Sequence, residues 1–498
     1  MARRLEKWTF YIGNLGDQSS LDFLLGLLKR AASAGYTAVV LQDDRMCRIN
    51  EVGTKYLENV KKFLCCAASE HMEIIPVICP IGNSNALLWH DVNLTEAVPV
   101  RKLPLIVNQG RIVPRNAAST GYGTASRISR VKSISSAIEL ELSVHPFRQY
   151  RFSFEARGRR IGPIQIRVSS DGRLLFLTRA RVSTKWNAFG ASFNPLWSHS
   201  LRLQIEVLDQ NNWIDIRAPS IDEIAFLNIV RRDGAPLKMT RESGEVLDEQ
   251  SDFTKIVDVR TQMALRENII GEWHEPPHVF TSMPEGTLLT ADYYHANPVD
   301  GKLMICPSEP CCIELIERHI DSTHRLFHAK RYLVNCDEIR TFNWCRACED
   351  RKMNANGLLI ECIQAVFRLI RTSAPLAATY IWSDMFDPYH NARDDYYCVR
   401  GTLSGGLKAL SSDVGIVNWN FGARERSLAF FANEHNRIVV ASYYDGAHDT
   451  QSWISACEIH AKFIDAFMYT TWTQNYTKLE EFAKVVDSLT TGWYGDQN

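Results

Sequence analysis

The chain of 498 residues is 45% hydrophobic and 23% charged, proportions that exclude disorder, collagen-like repeats and a disulfide-stapled miniprotein and leave material for more than one core. Its 56 Lys and Arg against 57 Asp and Glu give a net charge of −1, so the basic footprint of a nucleic-acid-binding protein is missing. No apolar run approaches the ~18 residues of a membrane helix, and the basic start, Met1 to Trp8, has no apolar stretch of an export signal behind it.

In chain order, Trp8 to Gly13 predicts a strand, Leu21 to Ala34 a helix, Thr37 to Gln42 a strand, Tyr56 to Glu70 a helix and Glu73 to Cys79 a strand. This alternation implies parallel strands. The period then changes. Tyr150, Phe152 and Phe154 alternate with polar partners, as do Ile164, Ile166 and Val168, then Leu201, Leu203, Ile205 and Val207, with a turn signal at Ser169-Ser170-Asp171-Gly172. Short alternating strands at this spacing predict an antiparallel β-sandwich. Residues 121–240 hold 18 Lys and Arg against 10 Asp and Glu, a net of +8, which leaves −9 for the rest. The 13 cysteines avoid this segment: Cys47, Cys65, Cys66 and Cys79 precede it, and nine follow from Cys306 onward.

The parallel rhythm resumes with strands at Arg331 to Cys336, Ala378 to Trp382, Val414 to Asn418, Arg437 to Tyr443 and Phe463 to Tyr469, and helices near 357–371, 423–434 and 451–461. Three strands before the interruption and five after it make the eight of a (β/α)8 TIM barrel. Thr287 to Tyr294 is a possible ninth, which either closes the inserted module or is the true fourth barrel strand. The expected fold is α/β: a TIM barrel interrupted after its third strand by an inserted antiparallel β-sandwich resembling a carbohydrate-binding module. The expected boundaries are 1–115 for the first barrel part, 116–285 for the module and its connections, and 286–498 for the rest of the barrel. Within the module, Trp186, Trp197 and Trp213 are candidates for a sugar platform or for core positions.

The odd cysteine count and the adjacent pairs Cys65-Cys66 and Cys311-Cys312 favour free thiols in a reducing compartment, the cytoplasm. Cys345-Arg346-Ala347-Cys348 has the spacing of half a zinc knuckle, with Cys306, Cys311 or Cys312 able to supply the rest. No second Cys-x-x-Cys exists, so free or loosely packed thiols are the preferred reading and a structural zinc the minority one, with no metal in the proposed site and no cofactor. No phosphate-cradling glycine loop occurs in a strand-to-helix context.

A barrel of this kind carries its site at the C-terminal ends of its strands, and the late strands end in carboxylates beside aromatic rings. These include Asp337 and Glu338; Trp382 and Asp384; Trp419; Tyr443, Tyr444 and Asp445; and Trp472. Aromatic faces stack on pyranose C–H faces while carboxylates handle hydroxyls and protons, so the pattern describes a sugar site. Asp337-Glu338 follows an apolar strand, and two adjacent residues can both reach a barrel mouth only where the strand ends. Adjacent groups do not make the opposed pair about 5 Å apart of an ordinary retaining glycosidase. They suit one residue that protonates the leaving oxygen while its neighbour manages a group on the substrate.

The stretches Val334-Asn335-Cys336-Asp337-Glu338, Tyr380-Ile381-Trp382-Ser383-Asp384 and Val440-Ala441-Ser442-Tyr443-Tyr444-Asp445 resemble the catalytic barrel of the substrate-assisted β-N-acetylhexosaminidases, most of all the β-N-acetylgalactosaminidase branch. The resemblance implies hydrolysis of β-linked N-acetylhexosamine in a glycan, GalNAc preferred, with Glu338 as general acid and base. Asp337 would orient the 2-acetamido nucleophile, and Tyr443 or Tyr444 would bond the same group. A neighbouring carboxylate in a poorly hydrated pocket is expected to raise the proton affinity of Glu338; the competing reading pairs the acids with Arg340. Trp382, Trp419 and Trp472 are candidate walls, Arg45 after the second strand a hydroxyl ligand, Asp384 and Asp445 further hydroxyl contacts, Tyr294 another substrate contact, and His295 a member if the ninth strand joins the barrel. The alternatives are a conventional barrel glycosidase using Asp384 or Asp445, and a non-catalytic carbohydrate-binding protein.

Overall fold

The computed structural model describes residues 5–115, 129–131, 138–209, 211–445, 450–491 and 493. Eight parallel strands close into a barrel: β1 (Glu6–Ile12), β2 (Ala38–Gln42), β3 (Glu73–Ile78), β4 (Arg331–Val334), β5 (Ala378–Trp382), β6 (Gly415–Asn418), β7 (Ile438–Tyr444) and β8 (Ile464–Thr470). The ring closes where Trp8 of β1 pairs with Ala38 on one side and Met468 on the other. These strands are short apolar runs such as Val39-Val40-Leu41, buried on both faces between barrel interior and helices, as parallel strands are. The amphipathic helices Gln18–Ser33 and Ala355–Ser373 begin at side-chain caps, Asp17 accepting from the Ser20 amide and Asn354 from the Gly357 amide. Helices Pro310–Phe327, with proline in its first turn, and Leu479–Leu489 fall outside the predicted set, as do the shorter Asn85–Leu88, Val259–Arg266 and Arg346–Asp350.

Between β3 and β4 the chain builds three antiparallel sheets. Ser129–Val131 pairs with Ile214–Ile224, which continues through Gln149–Gly158 to Asn187–Phe193; the second sheet joins Arg173–Val182, Gly162–Ser170, Ser200–Val207 and Ile138–Ser143. The alternating residues Phe152 and Phe154 of one sheet and Ile166, Val168 and Leu203 of the other share one buried cluster. The third sheet settles the ninth strand. Leu288–Ala296 pairs antiparallel with Ala97–Asn108, so it is not a barrel strand. Residues 97–114, expected in the first barrel part, already lie in this sheet with Leu288–Ala296 between Lys238–Arg241 and Ala97–Asn108. The strand Ala97–Asn108 is buried throughout its first four residues and alternates from Leu103 to Asn108, the latter a pattern for a sheet with one covered face rather than for a barrel. Among the described residues no helix is long and apolar enough to cross a membrane.

Candidate active site

A cavity of about 350 Å³ opens at the C-terminal mouth of the barrel. Ile12 and Gln42 end β1 and β2 there, Asn335, Asp337 and Glu338 follow β4, and Trp382, Trp419 and Trp472 stand at or just past the ends of β5, β6 and β8. The strand ends thus bring together five of the expected residues: both carboxylates and all three tryptophans. Phe10 packs edge-on against Trp382 and Trp472, with ring centroids 5.8 and 5.1 Å away, which fixes the aromatic wall from inside the barrel.

The two acids differ in electrostatics. The Glu338 carboxylate accepts from Arg340 at 2.8 Å and Lys302 at 3.2 Å, both at Oε2. Burial alone would raise its proton affinity, but these two cations outweigh burial and hold the group below its ordinary value. At Asp337 the Lys302 charge offsets burial only in part, and its Oδ1 is buried without a hydrogen bond among the described residues. Burial, then repulsion from Asp384, pushes Asp337 up to about 7. Asp384 is fully buried, and burial raises it likewise. Proton affinity is thus raised at the aspartate pair and lowered at Glu338. This corrects the expectation of a raised Glu338: the ion pair with Arg340 exists, and Arg340 is itself buried.

The remaining expected residues separate. Asp384 lies behind the cavity, where its Oδ2 accepts from the Glu338 amide at 2.9 Å and the Asn391 side chain at 2.8 Å; it positions Glu338. Asp445 accepts from Thr473 Oγ1 at 2.7 Å, the Trp472 amide at 3.0 Å and Thr471, so it shapes the loop that carries Trp472. Tyr443 stacks on Tyr469 at 4.2 Å, and Tyr469 packs on Tyr476 and Phe482 of the helical layer, so Tyr443 faces away from the cavity. The side chain of Tyr444 lies outside the described residues. Arg45 lines a separate hollow with Arg48, Lys55 and Trp89. Tyr294 bonds Arg101 at 2.9 Å in the third sheet and does not line the cavity.

Lys302, Asn83 and Asp44 line the cavity without having been singled out as candidates. Asp44 adjoins Arg45 and was legible as a polar residue after β2. Lys302 had no signal, since it arrives from the segment after the third sheet and meets Glu338 across 36 positions. Gly82 explains how the loop after β3 approaches: at φ +100, a Cβ there would come within 2.4 Å of the Asp337 carbonyl oxygen.

Fold and site together define an eight-stranded parallel barrel with an acid pair and a tryptophan wall at its C-terminal mouth. No protein-family model matches the chain, and no curated protein matches it. Among solved structures, the chain is similar to a β-N-acetylhexosaminidase from Bacteroides fragilis, at 8% identity over 97% of this chain and 66% of that one, TM-score 0.43. It is similar to a chitobiase from Flavobacterium johnsoniae at 8% identity over 99% and 53%, TM-score 0.37. A xylan-binding domain from Paenibacillus barcinonensis aligns over 26% of this chain and 96% of that one, at 13% identity and TM-score 0.18. The chain thus spans 53% to 66% of the length of these two enzymes.

Proposed function

We propose that this protein is a retaining glycoside hydrolase that cleaves β-linked N-acetylhexosamine in glycans, GalNAc preferred, with the 2-acetamido group as nucleophile. The carrying observation is the pair Asp337 and Glu338 at a cavity walled by Trp382, Trp419 and Trp472, with burial raising the proton affinity of Asp337, and Arg340 and Lys302 lowering that of Glu338. In the first step an acid protonates the glycosidic oxygen while the acetamide oxygen attacks the anomeric carbon, and an adjacent carboxylate stabilises the cyclised cation. In the second step the acid, now a carboxylate, takes a proton from water as the water reopens the ring. An intramolecular nucleophile needs no recruited partner in the first step, which removes a large entropic barrier. The resemblance gives the acid to Glu338 and the orienting role to Asp337; the raised proton affinity of Asp337 and the two cations on Glu338 support the reverse order.

Two of the carboxylates that a conventional displacement would use are engaged: Asp384 with the Glu338 amide and Asn391, and Asp445 with the Trp472 loop. Asp44, which lines the same cavity, is the remaining candidate for that second reading. The GalNAc preference is supported by the motif resemblance.

Leaving-group dependence separates the roles. Asp337→Asn should lose about 10²–10⁴-fold on 4-methylumbelliferyl β-GalNAc and keep most turnover of the 2,4-dinitrophenyl glycoside, whose leaving group needs no proton. Glu338→Gln should lose turnover of both. The opposite pattern returns the acid role to Glu338, and unchanged turnover of both substrates by both variants overturns the proposal. Equal activity on glycosides lacking the acetamide would transfer the reading to Asp44.

A further inference from the structure

Away from the cavity, four residues from three segments distant in sequence converge on one buried point. Glu96 precedes the first strand of the third sheet, Cys306 lies just before helix Pro310–Phe327, and Cys345 and Cys348 stand at the start and in the first turn of helix Arg346–Asp350. All four are buried, and their ligand atoms lie within 4.8 Å of one another. Cys306 Sγ is 3.3 Å from Cys345 Sγ and 3.6 Å from Cys348 Sγ. Glu96 Oε2 is 3.5 Å from Cys345 Sγ and 3.2 Å from Cys348 Sγ. Tetrahedral zinc, with Zn–S about 2.3 Å and Zn–O about 2.0 Å, sets S···S edges of about 3.8 Å and S···O edges of about 3.5 Å. The four edges match these within about half an ångström, whereas a disulfide would need about 2.05 Å.

The surroundings are built for a ligand set. Glu96 Oε1 accepts from the Trp344 amide at 2.6 Å and the Cys345 amide at 2.9 Å, which leaves Oε2 aimed at the thiols, the outer support that orients metal ligands. Arg232, buried in the same wall, donates to the Thr95 carbonyl at 2.9 Å, one residue from Glu96, and pairs with Glu309. A fixed cation there offsets three thiolates and a carboxylate, whose charge exceeds that of a divalent ion. Cys311 is exposed, and the Cys312 thiol turns to the Leu94 carbonyl, so neither belongs to the set.

We infer that Glu96, Cys306, Cys345 and Cys348 form a closed structural zinc site that clamps the loop following Glu338 to the segment leaving the barrel. With four protein ligands the site keeps no open position for substrate, which is the structural rather than the catalytic type. Zinc displaces the three thiol protons to solvent on binding. The clamp acts through the stretch Arg340 to Cys345, one end of which holds the Glu338 carboxylate.

The test uses the full chain purified without chelators. Metal analysis is expected to find one zinc per chain, and replacement by Co²⁺ to give the visible bands of a tetrahedral thiolate site. In competition with a chromogenic chelator, Glu96→Gln and Cys348→Ser should each weaken zinc binding by at least about tenfold, while Cys311→Ser leaves it unchanged. Glu96→Gln keeps the buried volume, so it reads the site even where Cys348→Ser fails to fold. Absence of zinc together with no stoichiometric uptake by the reduced chain overturns the inference, as does an intact mass showing a disulfide within the set.

Discussion

Glu338 adopts φ +48, a left-handed conformation that costs a non-glycine residue about 1–2 kcal/mol. It is held there from both ends: its amide by Asp384 and its carboxylate by Arg340 and Lys302. Lys302 is the removable cation, since its side chain is 28% exposed. Lys302→Met should raise the proton affinity of Glu338, so the acidic limb of the kcat/KM profile moves to higher pH; a profile that does not move would show that Glu338 need not be ionised. Asp384 offers a second test. Asp337 and Asp384 both bind protons more tightly folded than unfolded. Their contribution to stability is therefore complete below about pH 4 and lost as pH rises through about 7. The single carbonyl oxygen of Asp384→Asn can still accept from the Glu338 amide and Asn391, while the charge is gone. This variant should be more stable than the parent at pH 8 by about 1–2 kcal/mol, with little difference at pH 4. Thermal unfolding at the two pH values checks the sign.

At the scale of elements, the site depends on how each loop leaves its strand. Asp445 gathers the Trp472 amide, Thr471 and Thr473 at the end of β8, so Asp445→Ala should raise KM through a loosened Trp472 and leave kcat nearly unchanged. Gly82→Ala adds a Cβ against the Asp337 backbone at a positive φ. It should cost more than about 1–2 kcal/mol of stability and lower kcat with it, measured by melting temperature and turnover on one preparation. The same loops mark what could be read from residues alone. The barrel strands were legible because doubly buried strands are continuous apolar runs, and the acid pair because it follows such a run. The facing of Tyr443 was not, since β7 slips register between Ala441 and Tyr443, and one slip exchanges the faces. Nor was helix Pro310–Phe327, whose buried stripe includes His319, Ser322 and Thr323 beside Leu315 and Ile320. Cys345 and Cys348 announced a half site with Cys306 among its possible partners, but Glu96 lies 249 residues from Cys345, a closeness that only the fold creates.

The molecule as a whole is bound together at the seam between sandwich and barrel. Trp344 and Cys398, on loops of the barrel, belong to the apolar cluster of the sandwich. Trp197 of the sandwich stacks on Trp344 at 5.5 Å, and the Cys398 thiol turns to the Leu175 carbonyl. A chain of charges crosses the same seam, from Arg179 to Asp300 at 3.2 Å, Asp300 to Arg340 at 3.2 Å and Arg340 to Glu338 at 2.8 Å. Arg179 is half exposed, so its pair contributes little stability by itself, but Asp300 bears on the cation that sets the charge of Glu338. Excising residues 129–224 would bare the seam, and each large side chain uncovered there forfeits about 2–3 kcal/mol while adding an aggregation-prone patch. Sandwich and barrel are therefore expected to unfold in one calorimetric transition, and the excised chain to be insoluble or to melt well below the full chain rather than to remain an active barrel. Two resolved transitions in the full chain, or a shortened chain with full turnover of the 4-methylumbelliferyl substrate, would show that the sandwich is an appendage and that the charge path through Asp300 sets nothing at the site.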